Sequence, residues 1–434
     1  MTAGLRRLAL AAALALAALA IWRGARSAEK PLPPTIVAEE IVTELSSGLD
    51  PQAITAQAPG DPPRSAVLRP GDPLKGQGGR PAIVTPPPSR LRYRVDVPPD
   101  GVLSFGVAVE SDGQRDSGRS AVRFAVAADG RELWSRSVNP AATREDRRWF
   151  DERVDLGALA GRTVDLELVT EPASPRRPLA GTPGWAIVRL ARETRQPRQR
   201  VAPDRPNVLV LLVDTLRADG LGTYGATPSP SPNLDRFGAS GLVFEQAVAQ
   251  APWTLPSVAT LFTGLHPRSH GAIGETGEVQ ANAVWGFLAD DVVTIAERVT
   301  RAGITTFAVS ANPIVSRGTN LAQGFERFVE LPWRQKERNW EPAATVNRVF
   351  LDWLAHNREW RFFAYLHYME PHDPYTPPAE FRPPPPPGIR GDLAAGWVLD
   401  VSKRMNKGAQ VTLPLDQAAY LRALYNGRAR PRGR

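Results

Sequence analysis

The 434-residue chain contains no cysteine, which excludes disulfides and thiolate metal sites and leaves the compartment to be read from other features. Histidine is scarce too: there are five, and none follows an aspartate. Charge of one sign does not dominate. The net +8 is arginine interleaved with acids, and without a recognition motif beside it nucleic-acid binding is not expected. A hydrophobic content of 42% is enough to fill the cores of two or three domains, and 43 prolines go with long loops.

At the N-terminus, Arg6-Arg7 precede an uncharged, largely Ala/Leu run from Leu8 to Trp22. As a helix it would span about 22 Å, short of the roughly 30 Å hydrocarbon core. Residues 1–28 therefore read as a signal peptide, with Ala18-Leu19-Ala20 or Ala25-Arg26-Ser27 as cleavage sites, or as an uncleaved anchor. Either way the chain is expected outside the cytoplasm: periplasmic, secreted, or held at the membrane by this segment. Residues 29–90, rich in Pro, Gly, Ala and Gln, read as an extended linker. From Leu91 to Arg195, alternation such as Leu91-Arg92-Tyr93-Arg94-Val95 and turn signals such as Asp129-Gly130 predict short strands and a β-sandwich.

Beyond Arg205, strands and helices alternate, the pattern of an α/β fold with a mainly parallel sheet between helices. Asn207 to Val213 is apolar on both faces, as a central parallel strand would be, and it delivers Asp214 at its carboxyl end, where such sheets hold ligands. Pro256 suits a first helical turn and Gly264 a stop, so Thr254 sits at a helix N-terminus that favours an anionic group. Val292, Ile295, Ala296 and Val299 mark one further helix, stopped by Gly303 and followed by a strand from Ile304 to Val309. Val346, Val349, Phe350, Trp353 and Leu354 mark another, opened by Pro342. The strand Arg361–Leu366 then brings His367 and His372 just past its end, so that Asp214, Thr254 and the two histidines meet along one sheet edge.

Several ordered motifs share a likeness. Val213-Asp214-Thr215-Leu216-Arg217-Ala218-Asp219, Ser231-Pro232-Asn233-Leu234-Asp235, Ala251-Pro252-Trp253-Thr254-Leu255-Pro256-Ser257, Thr263-Gly264-Leu265-His266-Pro267, Gln323-Gly324-Phe325-Glu326-Arg327-Phe328 and His367-Tyr368-Met369-Glu370-Pro371-His372 together resemble the sulfatase family of the alkaline phosphatase superfamily. The likeness runs from Arg205 to Gly427 and implies that family's sheet, incomplete at the C-terminus. It implies metal-dependent hydrolysis of a sulfate ester on a glycan or aryl group. Thr254 would be the nucleophile, Asp214 and Thr254 metal ligands, and His372, with His270 as a further candidate, the partner of the ester oxygens or leaving group. Calcium is the first expectation for the metal; manganese or zinc would suit a phospho-ester enzyme. The segment around Trp149-Phe150-Asp151 resembles the jelly roll of carbohydrate-binding modules, against the plainer reading of a sandwich that only packs on its neighbour.

Departures from the family matter. Thr254 stands where most sulfatases have the Cys or Ser that becomes formylglycine, and Val258 where they have arginine. Superfamily relatives that transfer phosphoglycerol or phosphoethanolamine use an unmodified threonine. Ser310-Ala311-Asn312-Pro313 replaces the Gly-Lys-Trp-His that grips sulfate, and Asn312 can supply only part of that contact. The family's later Asp-His-Gly run is absent, and the Arg428–Arg434 tail reads as the product of truncation or a frameshift. A lone strand-end carboxylate, an N-cap threonine and a proline-flanked histidine are all ordinary structural features as well. Two alternatives remain: a threonine-dependent phosphodiesterase or phospho-transferase, and a truncated, inactive glycan-binding protein.

Overall fold

The computed structural model describes residues 31–46, 51–56, 62–71, 79–113, 118–273, 286–331, 340–387, 401, 404, 408–412 and 414–429. The segment expected to be a signal or anchor, and the tail beyond Ala429, lie outside these residues.

Eleven antiparallel strands come first: β1 (Thr35–Glu44), β2 (Ile54–Ala56), β3 (Arg64–Leu68), β4 (Arg80–Val84), β5 (Ser89–Asp96), β6 (Gly101–Glu110), β7 (Val122–Ala128), β8 (Arg131–Val138), β9 (Phe150–Asp155), β10 (Thr163–Pro172) and β11 (Thr182–Pro197). One sheet runs β3-β4-β11-β6-β9, with β1 added along β11; the other runs β2-β5-β10-β7-β8. Their inner faces share one core in which Leu91, Leu103, Phe124, Leu166 and Trp185 are fully buried. Trp185 lies 5.2 Å from the Phe105 ring and 5.4 Å from Phe124, and its indole N–H donates to Thr170 Oγ1 at 2.9 Å. The aromatic's polar edge is therefore satisfied inside an apolar core.

The linker expected over 29–90 is corrected here. Five strands begin within it, and β1 pairs with β11 from Thr35↔Pro197 to Glu44↔Arg189. Ile36 and Ala38 alternate inward while Val37 and Glu39 face out. The Pro- and Gly-rich text around β1 hid this alternation, and the partner strand that makes it meaningful lies some 150 residues away.

A four-stranded parallel sheet follows, ordered β12 (Val208–Val213), β15 (Phe362–Tyr368), β13 (Thr305–Ser310) and β14 (Arg327–Glu330). β13 and β15 are buried along their whole length. Among the described residues β12 is an edge strand rather than the central strand its two apolar faces suggested, with Val208 49% and Leu211 52% exposed. An apolar sequence reports that both faces prefer cover, and cannot report which neighbour supplies it. The helices Ile295–Arg301 and Ala343–Asn357 pack on the sheet. The first is shorter than its periodicity predicted, because Thr294 and Glu297 form a capping box that starts it after Val292. The last helix, Leu415–Ala429, runs two residues into the expected tail.

β11 continues directly into the second sheet's surroundings. Arg198, almost wholly buried, pairs with Glu326 at 2.8 Å and donates to Thr305 Oγ1 at 2.7 Å. The next residue, Gln199, bonds Gly303 and Arg361 through its backbone.

Candidate active site

The site forms at the carboxyl ends of the parallel strands. Just past β12 the Asp214 N–H donates to Tyr368 O at 2.9 Å, and Thr215 adopts φ 55°, a left-handed conformation that β-branched residues avoid. Tyr425 of the last helix holds this turn: its hydroxyl donates to Thr215 O and accepts the Arg217 N–H, each at 2.8 Å. Backbone held this way by its surroundings is common beside reactive groups.

Asp214 Oδ2 is the meeting point of three donors. Thr254 Oγ1 donates at 3.2 Å, Asn312 Nδ2 at 2.7 Å and His367 Nε2 at 3.0 Å. Burial pushes the Asp214 carboxyl up, but the hydrogen bonds it accepts from His367 and the Asn312 amide help to outweigh it, and the group is held below its ordinary value. Asp214 is thus an anion at neutral pH. Thr254 opens the helix Thr254–Thr263, whose N-cap residue Trp253 makes no side-chain cap bond to the first-turn N–H groups. Gly264 ends that helix at φ 71°, the left-handed stop its sequence position predicts.

His367 is not just past the end of its strand, where the sequence placed it. It lies inside β15, completely buried, in register with Leu212 and two residues short of Asp214's level. Tyr365, on the same strand face, places its hydroxyl 2.7 Å from His367 Nδ1. Burial and the Asp214 charge raise the Tyr365 phenol well above its usual value, so it stays protonated. Asn312 is occupied with Asp214, while its Oδ1 accepts the Ile314 N–H at 2.8 Å, which leaves less of the amide for an ester than the sequence allowed.

His372 sits in the loop after β15. Its Nδ1 donates to the Asp373 carbonyl at 2.7 Å, and its ring meets Trp340 edge-on at 5.7 Å. Because a carbonyl only accepts, Nδ1 carries the proton and Nε2 is the free nitrogen. His270 is engaged elsewhere. Its Nδ1 accepts the Ala272 N–H at 3.1 Å and its Nε2 faces Thr260 Oγ1 at 3.1 Å, while burial lowers its pKa and keeps it neutral. Nδ1 thus braces the loop that follows His270 and Nε2 ties it to the second turn of the helix, and neither reaches Asp214. The structure brings together Asp214, Thr254 and His367, while His372 stands in the loop after β15. Sequence reasoning missed Asn312, Tyr365 and Tyr425 as supports; the period-two spacing of Tyr365 and His367 was the available signal.

Among the described residues no group of three or more His, Asp or Glu side chains is arranged to hold a metal ion. Calcium takes six to eight oxygens, whereas here a single carboxylate faces one hydroxyl, and its Oδ2 already accepts three hydrogen bonds. The described residues do not by themselves fit the expected ion.

Residues 206–386 match the family model described as Sulfatase. A steryl-sulfatase of Mus musculus is 33% identical over 141 residues, 30% of this chain and 23% of that protein. An arylsulfatase of Clostridium perfringens is 33% identical over 102 residues, 24% of this chain and 20% of that protein. This chain thus spans less than a quarter of the length of either. Among solved structures, a phosphonate monoester hydrolase of Agrobacterium radiobacter aligns over 52% of this chain and 56% of its own, at 19% identity and a TM-score of 0.39, a likeness too low to argue from. The match and the ordered motifs agree in making residues 206–386 similar to the sulfatase family.

Proposed function

We propose that this protein belongs to a sulfuric ester hydrolase in which Thr254 attacks the sulfur of a sulfate ester. The observation that carries the reading is the Thr254 hydroxyl held on the Asp214 carboxylate at the uncapped N-terminus of a helix. Asp214 takes the hydroxyl's hydrogen and so aims the oxygen lone pairs outward, while the first-turn N–H groups favour the anionic group. Attack forms the Thr254 Oγ1–S bond and breaks the S–O bond to the leaving alcohol. His372, anchored through its Nδ1–H on the Asp373 carbonyl, supplies the alcohol's proton from Nε2 when its ring is doubly protonated. Water then hydrolyses the sulfated threonine. Sulfated glycans or aryl sulfates outside the cytoplasm are the proposed substrates, the latter in keeping with an arylsulfatase among the relatives. A divalent ion, calcium first and manganese or zinc next, is proposed with ligands beyond those the described residues provide.

A second reading, hydrolysis or transfer of a phosphodiester, is favoured by the unmodified threonine and by Asn312 being spent on Asp214. The full chain assayed in parallel on an aryl sulfate and an aryl phosphodiester, with and without each ion, separates the two. Thr254→Ala is expected to lower turnover of the accepted ester by about a thousandfold or more, as loss of a covalent nucleophile does. Unchanged turnover would sink the nucleophile assignment.

A further inference from the structure

We propose that Tyr365 and His367 are positioning residues: Tyr365 fixes the tautomer of His367, and His367 in turn fixes the Asp214 carboxylate beneath the Thr254 hydroxyl. The proposal deepens the reading above and rests on it for its catalytic consequence.

Four groups form one chain of hydrogen bonds, from the Tyr365 hydroxyl to His367 Nδ1 at 2.7 Å, from His367 Nε2 to Asp214 Oδ2 at 3.0 Å, and from Thr254 Oγ1 to the same Oδ2 at 3.2 Å. The carboxylate can only accept, so His367 Nε2 must carry a proton. The completely buried Tyr365 hydroxyl donates to the remaining nitrogen, and the ring is then neutral with its hydrogen on Nε2. Both residues are completely buried. Tyr365 is also wedged edge-on against Phe262 of the helix that Thr254 opens, ring centroids 4.8 Å apart. One side chain therefore registers both the nucleophile's helix and the carboxylate that orients the nucleophile. A buried hydroxyl and imidazole are costly to keep in a strand otherwise filled with Phe362, Phe363, Ala364 and Leu366 unless each is satisfied, and here each satisfies the next. Neither side chain meets the ester, so their effect falls on orientation, where a misplacement of about 1 Å costs on the order of a hundredfold.

The test uses the full chain with selectively ¹⁵N-labelled histidine. NMR of the wild type is expected to show His367 as the neutral Nε2–H tautomer, and Tyr365→Phe, which keeps the ring against Phe262, to mix or invert it. On the accepted ester, Tyr365→Phe is expected to lower kcat about tenfold, and His367→Leu about a hundredfold, with KM within about twofold. His367→Gln, which presents an N–H near the Nε2 position, is expected to recover most of that loss although it packs no better than leucine. An Nδ1–H tautomer in the wild type overturns the proposal, as does a His367→Gln enzyme no better than His367→Leu. If the wild type turns over neither ester, the hydrolase reading fails, while the tautomer and its response to Tyr365→Phe still decide the relay.

Discussion

The β-sandwich and the parallel sheet bury their apolar residues in different ways. In the sandwich, Trp185, Leu103 and Leu166 are fully enclosed between two sheets. In the parallel sheet, β13 and β15 are equally enclosed, yet β12, which delivers Asp214, leaves half of Leu211 and Val208 exposed. The reactive groups therefore stand at the boundary between a well-packed pair of strands and an open edge, while the sandwich supplies a core that owes nothing to the site. Stability and chemistry are carried by different parts of one chain.

That contrast can be broken most strongly from inside the sandwich. Trp185→Ala is expected to cost about 3–5 kcal/mol, since it empties an aromatic cluster and removes one of the Thr170 hydroxyl's two hydrogen bonds. Urea unfolding checks this. A loss below about 1 kcal/mol would mean the sandwich core is far looser than its burial implies.

The junction comes next. Arg198→Ala leaves Glu326 facing a buried polar gap and is expected to destabilise by about 3 kcal/mol, and to split one unfolding transition into two by loosening the sandwich from the sheet. Calorimetry reads both effects, and a single unshifted transition would show that the ion pair couples nothing.

On the open edge, Leu211→Ser is expected to change stability by less than about 0.5 kcal/mol, because the residue is already half in water. A cost of several kcal/mol in the same urea titration would mean that this edge is covered in solution.

The smallest effect concerns pH. Burial lowers the His270 pKa, so the unfolded chain takes up the proton first. This residue's contribution should be flat above the ordinary histidine value of 6.5 and should fall as pH drops from there toward the depressed folded-state value. Melting temperatures of the wild type and His270→Gln, compared from pH 7.5 to about 5, should diverge only in the acid arm. Parallel curves throughout would contradict the shift.

Much of the site's framework was legible in local text. Pro256 and Gly264 bracket the helix that Thr254 opens, and Pro342 caps the helix Ala343–Asn357 as its pattern required. These features depend on the backbone preferences of a few adjacent residues, so the sequence exposes them directly. β1 was misread as linker because its pairing is remote, and β12 as a central strand because apolarity does not count neighbours. His367 was expected past the end of its strand rather than inside it for a related reason: nothing beside it in the chain reveals that it will lie in register with residue 212.

By itself, then, the sequence determined the family motifs, the carboxylate at a strand end and the threonine at a helix N-terminus, because each is written in consecutive residues. Only the tertiary structure decided that Asn312, His367 and Thr254 converge on one oxygen of Asp214, that Tyr365 backs His367, and that His270 is spent on Thr260 and Ala272. Those contacts join positions up to 153 residues apart, and hydrogen bonds of about 3 Å are settled by how strands register and helices pack.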